Sequence, residues 1–477
     1  MSMKIHILHM NDVHSHLENQ MRVGYQLRRL RESLSQRGEP VLTFDIGDVL
    51  DRVRPETEAS LGRLNAALLG SLSVDGWVFG NNEGLTIPRR VWPELVAASG
   101  GTVYGTNIRD ESGSPLAELT DVFIYDLKGI QVGVFGVTPS YPKPYEHLGV
   151  QVLDPVVESA RAVRMLQQMG AHIIVALSHL GLGADHSLAK AVPGIHLILG
   201  GHTHQLMDEP VYEGQTAIFQ VGKHGVAFGH TTLVIDDATH QLQMVEGRAV
   251  LPTVLEKVDA QMMQVYLSHW SEIDKDLDRV VCELADALKT SLDEESSFAN
   301  TLAGILQTEY CADVGIVVSG LLCASLLQGV VRRRHLHSAC PTPTRPVLID
   351  LSGAELWRVF ERGLQPGFCL QRGFGFGFRG SVVGHLGLSN VRLEAHREVD
   401  DKVVVDEVVI GSERLVKTRI YRVATVEYLW LSSVLPEVHE GNNVDIPPPL
   451  VRDLLMERMN HANIVRDARF TCVHIRL

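Results

Sequence analysis

Short apolar runs, each closed by a polar or glycine-rich tip, fill the first 205 residues and restrict the fold more than any other feature. Residues 4–16 (KIHILHMNDVHSH) pass from an alternating apolar stretch into Asp, His and Ser, and residues 38–51 (GEPVLTFDIGDVLD) repeat the plan. So do residues 130–140 (IQVGVFGVTPS), 171–181 (AHIIVALSHLG) and 195–205 (IHLILGGHTHQ). Runs of this kind read as β-strands, and together they predict a layered α/β domain whose chemistry gathers at strand C-terminal ends. Between them, residues 154–169 (DPVVESARAVRMLQQM) predict a scaffold helix with Val156, Val157, Ala160, Val163 and Leu166 on one face and Gly170 as its stop.

Further along, residues 231–250 (TTLVIDDATHQLQMVEGRAV) read as a hairpin, and residues 252–275 as an amphipathic helix suited to connect two domains. A new composition follows. Residues 298–320 (FANTLAGILQTEYCADVGIVVSG) predict a helix and then a strand, and 401–427 read as sheet, preceded by the glycine-aromatic block Gly373–Gly380 (GFGFGFRG). The expected organisation is a catalytic domain over 1–250, a helical connector over 251–275 and a second domain over 276–477.

The 43 Lys and Arg against 57 Asp and Glu leave a net charge of −14, which argues against nonspecific binding to nucleic acid or to an anionic membrane. The longest apolar stretches, residues 173–177 and 192–200, fall far short of the roughly 20 residues that span a bilayer. The N-terminal apolar run is short and broken by histidines, so it does not read as a secretory signal. All 6 cysteines lie beyond residue 280 without a CxxC pair, so a reduced, cytoplasmic protein is expected.

The polar tips hold Asp12 and His14, Asp48, Asn81 and Asn82, His179, and His202 and His204. Singly, each has a structural explanation as a turn or cap residue. As a set they are oxygen and nitrogen donors without thiolate, suited to Mn²⁺, Zn²⁺, Fe or Mg²⁺. They outnumber the ligands of one tetrahedral ion, whereas two divalent ions sharing a carboxylate use them all.

The runs DVHSH, FDIGDV, GNNEG, SHLG and GGHTH follow the order and spacing of the calcineurin-like metallophosphoesterases. With its second half, the chain resembles the bacterial 5'-nucleotidase family, nearest to a cytoplasmic branch with GNNEG in place of the usual GNHE. The resemblance implies a four-layer α/β/β/α domain followed by an α+β substrate domain. It also implies that Asp12, His14 and His204 hold one ion and Asn81, His179 and His202 the other, with Asp48 bridging. Asp12 and His14 lie two apart, as do His202 and His204, and on an extended segment such residues point the same way. His9 is expected to pack within its strand, and His16 to lie in a surface loop or to support the site. The implied activity is hydrolysis of a phosphate ester or anhydride of a nucleotide-like substrate, by in-line attack of a hydroxide shared between the ions.

The family carries a histidine after the metal-binding asparagine, oriented by an aspartate three residues later; here those positions are Asn82 and Leu85. Asn82 can donate a neutral hydrogen bond but no proton, and the candidate catalytic side chains are Asn82 and His202. General acid catalysis is worth about 10²–10⁴-fold, so its loss weighs on nucleoside monophosphates and favours anhydrides and activated diesters. A metal- and nucleotide-binding regulatory protein with weakened turnover is the alternative, and the acidic balance disfavours a nuclease. In the second domain the resemblance implies an aromatic clamp on the base, drawn from Phe374, Phe376, Phe378 and Tyr428; the other reading is a sheet edge with its core aromatics. The family's glycine pair and aspartate are replaced by Ser432, Ser433 and Val434, and its arginine is missing from residues 319–325 (SGLLCAS). Arg332, Arg333 and Arg334, or Arg345, are the candidate replacements, a solvated face being the other reading of the arginine run.

Overall fold

A computed structural model describes residues 2–252, 257–460, 462–468 and 471–476. The chain divides into two compact units, Met1–Ile273 and Asp274–Leu477.

Two six-stranded sheets build the first unit. One sheet runs, edge to edge, through Leu242–Val250, Phe228–Asp236, Ser2–Met10, Val41–Asp45, Gly76–Val78 and Thr102–Tyr104. The other runs through Val211–Glu213, Thr216–Phe219, Leu197–Gly200, Ile173–Ser178, Ile130–Val137 and Val122–Leu127. Strand alternation explains the layering. Ile173, Val175 and Leu177 join Ile5, Ile7 and Phe44 in a core shared by both sheets, whereas Ile174 and Ala176 pack with Val163, Leu166 and Leu188 of the helices Pro155–Gln168 and Leu182–Ala191. The helix Leu17–Gln36 packs on Val41–Asp45 in the first sheet, which completes four layers.

The helix Pro155–Gln168 starts where the Asp154 carboxylate accepts from Val156 N (2.8 Å) and Val157 N (3.0 Å). Its buried stripe runs through Ser159, Ala162, Val163 and Leu166, and Val157 is 63% exposed. With about 3.6 residues per turn, Val157 points away from that stripe, so the expected face was drawn one residue too wide.

The connecting helix is Ala260–Leu277, not 252–275. Asp259, held by Arg28 at 2.6 Å, caps it by accepting from Gln261 N and Met262 N, which fixes the start eight residues later than expected. Residues 253–256 of the expected helix lie outside the described residues.

His9 is fully buried in the strand Ser2–Met10, opposite Gly229, where no Cβ would fit beside its ring. Among the described residues neither ring nitrogen has a hydrogen-bond partner, and burial pushes the imidazole down to about 3. The unfolded chain therefore takes up a proton near pH 6.5 that the folded chain refuses until about pH 3. Stability should fall as pH drops through that window, by up to about 1.4 kcal/mol per unit. Denaturant unfolding at pH 8 and pH 5 is expected to show His9→Leu gaining stability on the native protein at the lower pH; a constant difference would contradict the assignment.

The second unit is α+β. Its five-stranded sheet orders Leu386–Ser389, Val314–Val318, Ile420–Val426, Pro346–Ser352 and Asn442–Asp445, and the helix Ser297–Glu309 leads into Val314–Val318 as the sequence predicts. A four-stranded sheet holds Val403–Ile410 and Val391–Arg397. Among the described residues, no disulfide joins any of the 6 cysteines. Among the described residues, no helix is long and apolar enough to cross a membrane.

Candidate metal centre

Parallel strands deliver the polar tips to one edge. Ser2–Met10, Val41–Asp45 and Gly76–Val78 pair in parallel and release Asp12, Asp48 and Asn81, while Ile173–Ser178 and Leu197–Gly200 release His179, His202 and His204. These side chains do not converge by strand alternation as the spacing suggested. Asp12, His14, Asp48, His202 and His204 all have left-handed backbone, with φ between 47° and 72°. Such conformations cost non-glycine residues about 1–3 kcal/mol each and persist where surrounding structure holds them. Here Asp12 N donates to Gly47 O (3.0 Å) and His14 N to Asp48 O (2.8 Å), tying the first two tips together.

The ligand atoms of Asp12, His14 and His204 lie within 4.8 Å of one another, and those of Asp48, His179 and His202 form a second such group. In the first, Asp12 Oδ1 is 3.7 Å from His14 Nε2 and 3.4 Å from His204 Nε2. In the second, Asp48 Oδ2 is 3.4 Å from His179 Nε2, and the same oxygen is 3.8 Å from His14 Nε2. Asp48 therefore faces both groups. Gly80 packs against its carboxylate so closely that a Cβ there would overlap Asp48 Oδ1.

The residues fit a cation. His179 Nδ1 donates to Ile46 O (2.7 Å), which turns Nε2 inward to face Asp48 Oδ2 at 3.4 Å. Asn81 Oδ1 is buried and, among the described residues, has no hydrogen-bond partner. A buried, unpaired acceptor of this kind is costly unless a positive charge meets it. Burial works to lower His14 and His179, yet the neighbouring carboxylates, Asp12 and Asp51 for the first and Asp48 for the second, hold both imidazoles up to about 10. Two buried carboxylates demand positive charge, and a divalent ion meets that demand while displacing the protons.

Three supports escaped the sequence reading. Glu83, fully buried, accepts from Asp48 N (2.9 Å), Gly80 N (2.8 Å) and Leu50 N (3.1 Å), so it fixes the Asp48 tip to the Asn81 tip. Asn11 Nδ2 donates to Asp12 Oδ2 (2.7 Å) and to Gly222 O (2.6 Å). His224 N donates to Asp12 O (2.7 Å), and its ring stacks on the exposed His16 with centroids 3.9 Å apart. The acid of GNNEG and the asparagine before Asp12 were visible as neighbours of the tips, but nothing in their spacing said which way they turn.

Asn82 lies between the Asp48 tip and His14. Its Nδ2 stands 3.0 Å from His14 Nδ1 and donates to Leu50 O (3.1 Å), and its backbone N donates to Asp48 Oδ1 (2.8 Å). Its carboxamide is committed to holding His14. In this arrangement Asn82 supports a ligand of the Asp12 group. His202 lies in the Asp48 group, with its backbone N donating to both Asp12 oxygens (3.1 and 2.9 Å).

In the second unit, Phe378 and Tyr428 are buried and stack directly on each other, centroids 4.1 Å apart at 24°. A base between them would need twice that stacking separation, so this pair is packed as core and not open as a clamp. Phe374 and Phe376 are 73% and 52% exposed. Arg332 pairs with Asp278 (2.9 Å), Arg333 with Asp276 and Arg334 with Asp274 (3.0 Å), so the arginine run serves the end of the connecting helix. Arg345 is buried against Glu427 (3.3 Å).

The family model for calcineurin-like phosphoesterases matches residues 5–206, and that for the 5'-nucleotidase C-terminal domain matches residues 280–433. The chain is 31% identical to "Uncharacterized metallophosphoesterase YunD" of Bacillus subtilis (strain 168), over 95% of this chain and 99% of the relative. It is 23% identical to a probable 5'-nucleotidase of Treponema pallidum (strain Nichols), over 83% of this chain and 79% of that protein. Its fold matches the solved NAD nucleotidase of Haemophilus influenzae with a TM-score of 0.68 at 15% identity, covering 100% of this chain and 98% of the other. Catalytic and C-terminal domain models in this order, with a relative matched along nearly its full length, place the chain in the calcineurin-like metallophosphoesterases of the 5'-nucleotidase type, a family of metal-dependent hydrolases.

Proposed function

We propose that the protein hydrolyses a phosphate anhydride or activated ester of a nucleotide-like substrate at a centre built for two divalent ions. The observation that carries this reading is the buried Asp48 carboxylate, which faces His14 on one side and His179 on the other. Asp12, His14 and His204 would hold one ion, and Asn81, His179 and His202 the other. When bound, a pair of ions activates water and neutralises charge on the phosphoryl oxygens. The chain's own contribution is orientation. Ile46 O sets the His179 ring, Asn82 sets His14, and Asn11 with His202 N sets Asp12. A nucleotide-like substrate is supported by the C-terminal domain match and by the names of several relatives, 5'-nucleotidases among them. In the second unit the exposed Phe374 and Phe376 are the rings free to stack on a base, worth about 1–3 kcal/mol per base.

Leaving-group chemistry narrows the substrate. Position 82 carries no ionisable group, and position 85 carries Leu85. The departing oxygen gets no proton from this pair, so stable leaving groups should react fastest. With the full chain loaded with Mn²⁺, a nucleoside diphosphate and an aryl phosphodiester are expected to exceed a nucleoside monophosphate in kcat/KM by about 10-fold or more, out of the roughly 10²–10⁴ available to general acid catalysis. A preference for the monophosphate would contradict the anhydride reading.

A further inference from the structure

Tyr141 follows the strand Ile130–Val137, whose neighbour Ile173–Ser178 ends one residue before His179; the two strands pair in parallel through Val137 and Ser178. The loop that carries it is held at several points. Thr138 N donates to Asn107 Oδ1 (3.0 Å), Asn107 Nδ2 donates to Thr138 O (2.8 Å), and Ser140 Oγ donates to Val152 O (2.9 Å). Before the loop, Gly136 packs on Val78, three residues ahead of Asn81. After it, the short helix Pro142–Glu146 packs on the helix Asn81–Thr86, with Tyr145 filling the space above Gly84. Contacts on both sides thus hold the loop of Tyr141 beside the elements that carry Asn81 and His179, near enough to the centre for Tyr141 to feel the Asp48 carboxylate.

The ring of Tyr141 is partly exposed, and among the described residues its hydroxyl has no hydrogen-bond partner. Asn82, by contrast, has its only side-chain donor, Nδ2, engaged with His14 and Leu50. The phenol is a protic side chain near this centre that the packing has not consumed. We infer that Tyr141 is a catalytic residue, whose phenolic O–H hydrogen-bonds the departing oxygen of the substrate. This inference rests on the phosphohydrolase reading above. Burial first, and the Asp48 carboxylate second, hold the phenol above its ordinary range, so it stays a donor throughout the neutral region. No proton leaves Tyr141: a bond forms between phosphorus and the attacking water oxygen, which gives up a proton to solvent, the bond to the departing oxygen breaks, and that oxygen draws its proton from solvent. A hydrogen bond of this kind matters most where charge on the departing oxygen is greatest, so Tyr141 tempers the penalty on poor leaving groups without removing it.

The test compares native protein with Tyr141→Phe, both Mn²⁺-loaded and full length, on an aryl and an alkyl phosphodiester. The variant keeps the ring, and unchanged metal content and melting temperature show that it is intact. The expected result is a fall in kcat on the alkyl ester about 10-fold greater than on the aryl ester, with KM nearly unchanged. Orthovanadate, whose apical oxygen occupies the departing position, should bind the variant more weakly in calorimetry. Equal rates for variant and native protein, or an equal fall on both esters, would overturn the role of Tyr141 and leave the phosphohydrolase reading intact. A native protein that hydrolyses neither ester would overturn that reading and this inference with it.

Discussion

Asp48→Ala should strip the protein of more than one metal equivalent and of nearly all turnover. Asp48 is 3.4 Å from His179 and 3.8 Å from His14, so one substitution removes a ligand from both groups at once. The charge argument points the same way. Buried carboxylates draw positive charge to this edge, and with Asp48 gone His179 loses the main partner that holds it up to about 10, while His14 loses one of its three. Inductively coupled plasma measurement after dialysis is expected to give less than one ion per chain, against two for the native protein. Retention of two ions would remove Asp48 from its position between them. His204→Ala provides the contrast, since His204 belongs to the Asp12 group alone and should cost a single ion.

Glu83→Ala should be the most damaging change outside the ligands themselves. Its two oxygens accept from the backbone N–H groups of Asp48, Gly80 and Leu50, all buried. Alanine leaves three donors without partners, at about 1–3 kcal/mol each, so a total of roughly 3–9 kcal/mol is expected. The loss should appear in urea unfolding of metal-free protein, which separates it from any effect through bound ions. Glu83→Gln should fall between native and alanine, because its amide keeps one acceptor oxygen and turns an NH₂ toward a donor. A destabilisation below about 1 kcal/mol for Glu83→Ala would mean that the two tips hold together without it.

The fold was legible in the first unit because buried strands with polar tips leave a plain pattern, and two sheets of such strands have few ways to pack. Asp12, Asp48 and His179 stand at strand ends in the sequence and in the structure alike. What spacing did not carry was the route by which these residues converge. Left-handed backbone at Asp12, His14, His202 and His204 comes from hydrogen bonds between tips far apart in sequence, such as Asp12 N to Gly47 O. Side-chain direction was hidden for the same reason. Asn82 turns toward His14 because Leu50 O and Asp48 Oδ1 are there to receive its N–H groups, and neither is a sequence neighbour. Aromatic content in the second unit showed that rings were available, but only packing decides that Phe378 and Tyr428 meet face to face while Phe374 and Phe376 stay outside. The connecting helix was displaced in the reading because its start is set by Asp259, whose capping geometry depends on Arg28.

The central claim is that one edge of the first unit holds two ions around Asp48. Anomalous diffraction from crystals of the native chain equilibrated with Mn²⁺ tests it most directly. The account predicts two manganese peaks, one coordinated by Asp12, His14 and His204 and the other by Asn81, His179 and His202, with the Asp48 carboxylate touching both. A single peak, or a second peak away from Asn81 and His179, would contradict it.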